Sequence, residues 1–523
     1  MNDVIEQLER SVGIVKNWGR AQLPNNRTLA EQLTFDGLSL WDAMAPVMAL
    51  YYVPVALSGQ RFPSLAQRLR PHISLAKRRV LNHIKRWQSI PVHDEVAPLK
   101  KAFLFMGFSG YMYRDVLEPV ATYLVRTRGQ KIFALHDVRS TCDAHVSMDS
   151  AQTRSVWQYW SRDVKSDAHV LGQQVAAAIA ELRATSAFSR LIQADGESLC
   201  PHMENAFNWL FHFHIPLLVP QAAIARNILK QHQPRLIIGA DVADPRARLY
   251  SLLGHHMRIP SLEVQFGPNG AEGVEWNFLL ADRVATWGAT TRQALLEHGV
   301  SAQRIAITGS PRHDSLVNVC ADEVAKTRER LGIPAGFAMV LCASTYQQKE
   351  YNSLSDPELL LSMKRAVFKA AAQLSGLCLV VKPHPLENVR ETKQLIGVGR
   401  NIVLVDSADD IRELTKACDA FLGFGSTATM DAMIARKPTI CPAFPGWIWS
   451  DIFLNSDAVL VPRTEEDVVV SLRKIVDGSI GQVMAELEPA RQEFLQQLAY
   501  KVDGHAAERT AAMAMEMAGS SFQ

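Results

Sequence analysis

Between residues 378 and 441 the chain alternates short apolar runs with amphipathic stretches, and this rhythm limits the fold more than any other feature of the sequence. Cys378–Val381, Ile402–Val405 and Ala420–Phe424 are too short for helices and are separated by helical patterns. The segment therefore reads as βαβ units laid into a parallel sheet. Two polar clusters follow two of these strands, Lys382-Pro383-His384-Pro385 and Gly425-Ser426-Thr427. In an open parallel sheet, ligands bind just beyond the carboxyl ends of the strands. Lys382 supplies a charge and His384 a directional donor, while Ser426 and Thr427 open a helix whose first N–H groups point at an anion. Taken singly, Ser or Thr after Gly is an ordinary helix cap and His-Pro is a turn. At one edge of one sheet, the two clusters together point to the phosphate of a nucleotide.

The rest of the chain extends this pattern. At 523 residues it is too long for one core. Strands are expected at 102–106, 131–135, 235–240, 261–266, 283–287 and 305–308, then at 339–343, 439–442 and 458–461. The implied segmentation is a helical N-terminal extension (1–97), a first α/β domain (98–304), a second (305–480) and closing helices (481–523). Residues 1–60 read as helices without a strand, and 150–232 as mostly helical, with Trp157, Tyr159, Trp160, Trp209, Phe211 and Phe213 as core. The turn after 102–106 holds Gly107 and Gly110 but no GxGxxG, so a dinucleotide fingerprint is not supported.

A net charge of +2 excludes a general nucleic-acid binder, yet the charge is uneven. From Ala43 to His93 there is no acid and there are eight Lys and Arg, at 61, 68, 70, 77, 78, 79, 85 and 86. Apolar residues at 65, 69, 73, 76, 80, 84 and 87 put those cations on the other side of a helix bent at Pro71. The stretch reads equally as an attachment to an anionic membrane surface and as a helix packed on its own domain. The apolar run 43–57, broken by Pro46 and Pro54, is short for a membrane span. Seven cysteines show no CxxC, no signal peptide is visible, and a reducing cytoplasm is the expected location.

The Lys382–Pro385 and Gly425–Thr427 pair resembles the HP and S/T motifs of GT-B glycosyltransferases that build bacterial surface polysaccharides: sialyltransferases, Kdo transferases, and CDP-glycerol polymerases of teichoic acid synthesis. The likeness runs over 235–445 through IPSLEVQFG (259–267), ITGSPRHD (307–314) and FGSTATMDAMIARKPTI (424–440). Many such proteins read Gln-His-Gly where this chain has Gln265-Phe266-Gly267, so no catalytic His carries over there. The resemblance implies an α/β fold of two Rossmann-like, doubly wound domains facing a cleft. It also implies that Lys382, His384, Ser426 and Thr427 meet the donor phosphate and that Asp431, on the same helix face as Thr427, accepts from ribose hydroxyls. Ser310, Arg312 and Ser344 lie on loops that would face the cleft, although Arg312 reads equally as an interdomain salt bridge.

No DxD pair is present, so neither a metal nor another cofactor is expected. The motif pair in the resembled enzymes implies a cytidine nucleotide, with Kdo or a related ulosonic acid on CMP as the leading donor and a capsule or lipopolysaccharide glycan as acceptor. The alternatives are transfer of a polyol phosphate from CDP-glycerol, a sugar-nucleotide epimerase, and a non-catalytic subunit of a polysaccharide complex. Either chemistry needs a carboxylate in the first domain. Asp241, at the end of the apolar run LIIGA, comes first, as nucleophile or base, kept ionised by nearby positive charge. Asp244 follows, with a helix-capping role before Pro245 as the stronger reading. Glu118, Asp137, Glu272 and Glu275 are rivals.

Overall fold

The computed structural model describes residues 2–59, 97–137, 152–184, 186–194, 196–267, 273–346, 357–397, 399–447, 451–454 and 456–520. The chain divides into two compact units. The first comprises 2–264, 274–284 and 511–523, and the second 265–273 and 285–510. Where the sequence suggested a separate N-terminal extension, residues of 8–57 share a single core with the first α/β sheet. Trp18 and Trp41 are almost fully buried there, alongside Leu104, Phe133 and Ile237. The strongly basic segment lies outside the described residues.

Twelve strands carry the two main sheets among the described residues. They are β1 (Phe103–Met106), β2 (Ile132–His136), β3 (Gln152–Ser155), β4 (Leu236–Gly239), β5 (Ser261–Val264), β6 (Arg283–Thr286), β7 (Ile305–Ile307), β8 (Ala338–Ala343), β9 (Leu377–Lys382), β10 (Ile402–Leu404), β11 (Ala420–Gly423) and β12 (Thr439–Ile440). The first sheet has the order β7-β6-β5-β4-β1-β2-β3 and the second β10-β9-β8-β11-β12. The pairings β1–β2, β1–β4, β2–β3 and β4–β5 are parallel, as are all four in the second sheet. Strands buried on both faces need apolar side chains throughout, which is why FLFM, LIIG and LCLVVK read as unbroken runs.

The pleat sorts the second sheet's side chains by face. Val340 and Cys342 of β8 pack with Met363 and Val367 of the helix Pro357–Gln373 and with Leu472 of the helix Glu465–Val476. Met339 and Leu341 join Leu414 and Ala417 of the helix Ile411–Ala417. Helices therefore cover both faces, as a doubly wound sheet requires.

Two expectations are corrected. Thr34–Phe35 and Leu38–Ser39 form a small antiparallel pair inside the stretch read as purely helical. The described residues of 150–232 are mostly helical, as expected, with the edge strand β3 and the short pair Gln193–Ala194 with Glu197–Ser198 among the helices. The strand expected at 458–461 is reduced to a single bridge between Ile440 and Leu460. The apolar stretch Leu40–Leu57 is one helix, continuous through both prolines. It is long and apolar enough by length and composition to cross a membrane, and 72% of it is buried within the protein.

Candidate functional site

In the second unit, β8 is the first strand laid down. The chain then builds β9 and β10 on one side of it, and returns to place β11 and β12 on the other. The reversal between β8 and β11 is a topological switch point, the place where such sheets open a crevice for ligands. Register fixes which residues meet there. Ala343 pairs with Lys382 on one side and with Gly423 on the other. The next residues of each strand, Ser344, His384 and Gly425-Ser426-Thr427, therefore emerge together at the carboxyl edge.

The segment after β11 departs from an ordinary cap. Gly425 takes a positive φ of 88°, turning the chain into the helix Thr427–Ile434. Ser426 occupies the N-cap position with extended backbone, but its hydroxyl makes no capping hydrogen bond. Thr429 N donates to Ser426 O at 2.9 Å, which leaves the N–H groups of Thr427 and Ala428 and the Ser426 hydroxyl as the donors this terminus can offer a ligand. Gly267 approaches this terminus: a Cβ there would stand 3.7 Å from Thr427 Oγ1. Gln265 shapes that loop, accepting from Trp287 N at 2.7 Å and donating to Gly267 O at 2.7 Å.

His384 is held in one tautomer. Its Nδ1 accepts from Leu386 N at 3.2 Å, so the ring proton resides on Nε2. Tyr346 stacks on the ring at 4.6 Å. Burial, then the Lys382 ammonium, push the imidazole down to about 4. Around neutral pH, His384 is therefore an uncharged donor through Nε2–H. Lys382 is 8% exposed, and its Nζ donates to Ser407 O at 2.9 Å and to Pro383 O at 3.4 Å. Its ammonium ties the end of β9 to the Ser407 loop and adds positive charge that His384 feels.

Asp431 does not stand open to a ribose. It is fully buried, paired with Arg312 at 2.9 Å through Nε and at 3.3 Å with His313 Nε2. Burial alone would raise this carboxyl, but the Arg312 guanidinium and His313 hold it well below the usual carboxylate range. Arg312 thus forms its salt bridge within the second unit, correcting the interdomain alternative. Asp314 of the same motif caps the last helix, accepting from Ala506 N at 3.0 Å and Ala507 N at 2.8 Å. Ser310 is 3% exposed, and its hydroxyl is buried without a hydrogen-bond partner. Ser344 Oγ donates to Glu387 Oε1 at 2.8 Å.

The first unit has its own switch point, between β1 and β4, and Asp241 lies two residues beyond β4. One carboxylate oxygen accepts from Ala243 N at 3.0 Å and Asp244 N at 3.1 Å. Burial and the neighbouring Asp244 carboxylate outweigh those bonds and push Asp241 up to about 7. This corrects the expectation of a carboxylate kept ionised by positive charge. Asp244 caps the helix Pro245–Met257, accepting from Arg246 N at 2.8 Å, and pairs with the Arg246 side chain at 2.7 Å. Asp137 accepts from Trp157 Nε1 at 2.7 Å and faces Arg246 at 3.5 Å, so it too is engaged. Glu118 and Glu275 lie in helical segments, and Glu272 lies outside the described residues.

Sequence reasoning missed several groups. Glu263, in mid-strand on β5, is 5% exposed, and burial together with Asp241 pushes it well above the usual range. Its neighbour on β4 is Gly239, where a Cβ would lie 3.2 Å from Glu263 Oε2. Arg248 donates to the carbonyls of Asp42 (3.0 Å), Val242 (2.7 Å) and Phe278 (2.6 Å), setting the loop after Asp241. A lone charge inside an apolar strand, as in SLEV, was the available signal for Glu263. Among the described residues no group of three or more His, Cys, Asp or Glu is placed to hold a metal ion.

Residues 284–444 match the family model described as CDP-Glycerol:Poly(glycerophosphate) glycerophosphotransferase. Comparison with curated protein sequences finds no match. Among solved structures, a variant of the wall teichoic acid polymerase TagF is 13% identical, covering 88% of this chain and 100% of its own, with a TM-score of 0.51. A UDP-N-acetylglucosamine 2-epimerase is 11% identical, covering 81% and 97%, with a TM-score of 0.50. MnaA from S. aureus, solved with UDP, is 12% identical, covering 80% and 97%, with a TM-score of 0.50. At such identity the likeness concerns the fold: α/β with parallel sheets, of the GT-B kind shared by glycosyltransferases and epimerases. The family model adds chemistry to that fold and supports a transferase enzyme. None of these matches is a transferase of Kdo or sialic acid.

Proposed function

We propose that the chain transfers glycerophosphate or a related polyol phosphate from a CDP-linked donor to a surface-glycan acceptor, releasing CMP. The observation that carries this reading is the glycerophosphotransferase match, because residues 284–444 contain Ser310, Arg312, Ser344, Lys382, His384, Ser426 and Thr427. It replaces the CMP–Kdo donor with an alternative drawn from the same cytidine chemistry.

An acceptor hydroxyl oxygen attacks the glycerol-bearing phosphorus. A new P–O bond forms, the anhydride P–O bond breaks, and its electron pair leaves on the phosphate oxygen of CMP. Asp241 is assigned as the base that takes the hydroxyl proton. A carboxyl pushed up to about 7 accepts a proton far better than an ordinary carboxylate. Negative charge on the leaving CMP is met by the helix at Thr427, the Ser426 and Thr427 hydroxyls and His384 Nε2–H. We assign charge neutralisation to these groups, so activity is expected to persist in EDTA. The reading also retains the cytoplasmic membrane face as the place of action, on the strength of the basic segment Arg61–Arg86.

Turnover assays with CDP-glycerol, CMP-Kdo and UDP-N-acetylglucosamine test the proposal. The expected result is CMP release from CDP-glycerol that depends on an added polyol-phosphate or glycan acceptor. Conversion of UDP-N-acetylglucosamine without acceptor would establish an epimerase instead. Transfer from CMP-Kdo alone would restore the ulosonic acid donor.

A further inference from the structure

One buried side chain at the edge of the second sheet joins the loop after β8 to the loop after β9. Glu387, three residues after His384, has a side chain only 4% exposed. Its Oε1 accepts from Ser344 Oγ at 2.8 Å, Thr392 Oγ1 at 2.6 Å and Lys364 Nζ at 2.6 Å. Its Oε2 accepts from the backbone N of His384 at 3.0 Å. Lys364 is itself 5% exposed and also donates to Thr345 O at 2.5 Å. These partners come from the loop after β8, the loop after β9, the helix Pro357–Gln373 and the helix Val389–Ile396.

A carboxylate buried to this degree persists only where charge and hydrogen bonds compensate it. Here one ammonium and three further hydrogen-bond donors compensate it, all from within the protein. A hydrophobic side chain could fill the same space but could not fix four polar partners at defined angles. From this arrangement we propose that Glu387 is the positioning residue of the phosphate site, holding the His384 loop in register with Ser344 through the buried Lys364 and Thr392. The inference rests on the reading of His384 and Ser344 as donor-binding groups. Glu387 acts through them and does not meet the nucleotide.

The isosteric change Glu387→Gln is informative because an amide keeps one acceptor oxygen but turns an NH2 group toward a second donor. With the oxygen on the Ser344, Thr392 and Lys364 side, the NH2 faces His384 N–H, and two donors oppose each other. The variant leaves Lys364 without a counter-charge, so Lys364→Met/Glu387→Gln accompanies it as a charge-balanced form. Thr392→Val removes one spoke, and Thr392→Ser keeps the hydroxyl.

The full chain is examined in two ways: CMP affinity by titration calorimetry, and the rate at which diethyl pyrocarbonate modifies His384, read by peptide mass spectrometry. Glu387→Gln and the double variant are expected to weaken CMP binding by about tenfold, the scale of one misaligned hydrogen bond, and to speed His384 modification. Thr392→Val should shift both in the same direction by a smaller factor, and Thr392→Ser should restore both. Rescue by Ser separates positioning from a general loss of packing. If folded Glu387→Gln, or Thr392→Val where the former does not fold, leaves both readouts at the wild-type value, the positioning role is overturned. If wild type itself binds no CMP, the nucleotide reading fails, and His384 reactivity alone decides the role of Glu387.

Discussion

Asp241 shows how burial and a neighbouring charge decide a side chain's chemistry against its own hydrogen bonds. Two N–H donors on one carboxylate oxygen would ordinarily depress its pKa, but burial and the Asp244 carboxylate prevail and push it up to about 7. A base must be ionised to work, so kcat/KM is expected to rise about tenfold per pH unit below that value and to level off above it. Asp241→Asn should keep CMP binding, lower transfer by roughly 10²–10⁴-fold and abolish this acid limb. An unchanged limb in the variant, measured as a pH–rate profile, would assign the base elsewhere. At this scale the sequence spoke unevenly. Lys382, His384, Ser426 and Asp241 could be placed at strand ends from periodicity alone. The pairing of Asp431 with Arg312 and His313 could not, because 119 residues separate Arg312 from Asp431 and only the folded helix brings them together.

The helix Thr427–Ile434 carries the next lesson, since a sequence that looks like a cap does not behave as one. If Ser426 capped the helix, Ser426→Ala would cost about 1 kcal/mol of stability. Its hydroxyl makes no such bond, so Ser426→Ala is expected to leave the melting temperature unchanged while weakening CMP. Ser426→Asp should act in opposite directions on the two readouts. The new carboxylate would cap the helix and complement its dipole, raising stability by about 0.5–2 kcal/mol. It would also put a negative charge where phosphate is proposed to bind, reducing CMP affinity by at least about tenfold. Equal or tighter CMP binding by Ser426→Asp, seen calorimetrically, would remove the helix terminus from the site.

Helices elsewhere show a second regularity that pattern reading passed over. Each of the π-helical turns Met48–Tyr52, Tyr113–Leu117 and Leu210–His214 is followed two residues later by a proline, Pro54, Pro119 or Pro216. A proline has no N–H and crowds the preceding turn. Widening that turn lets the helix continue where a break was expected, and this is how 40–57 passes Pro54. Short apolar strands were legible because both faces of a parallel sheet are buried. The edge strand β3 was not, because Gln152–Ser155 is polar and is defined by its pairing with β2.

At the scale of the whole molecule the buried titratable groups divide by unit, and they predict unequal responses to acid. In the second unit, burial lowers His384 to about 4 and also lowers His313. Unfolding restores both to near 6.5, so the unfolded chain takes up protons that the folded unit refuses as pH falls below about 6.5, for His384 down to about 4. Stability is lost over that window, by up to about 1.4 kcal/mol per pH unit for each proton withheld. Among the described residues of this unit, only Asp314 is an acid raised by burial that opposes this loss, and Asp431, held low, contributes its own loss at still lower pH. In the first unit, His232 is likewise lowered to about 4 by burial, with Nδ1 accepting from Leu99 N at 2.8 Å. There Asp241 and Glu263 act the other way: their folded pKa values are raised, so stability is gained as pH falls, for Asp241 from about 7 toward 4. The second unit should therefore weaken first. Amide hydrogen exchange at pH 7 and pH 5, corrected for intrinsic rates and resolved by peptide, is expected to show greater loss of protection in 285–510 than in 97–264. Greater loss in the first unit would mean that Asp241 and Glu263 are not held protonated in the fold, and the acid limb assigned to Asp241 would lose its physical basis with them.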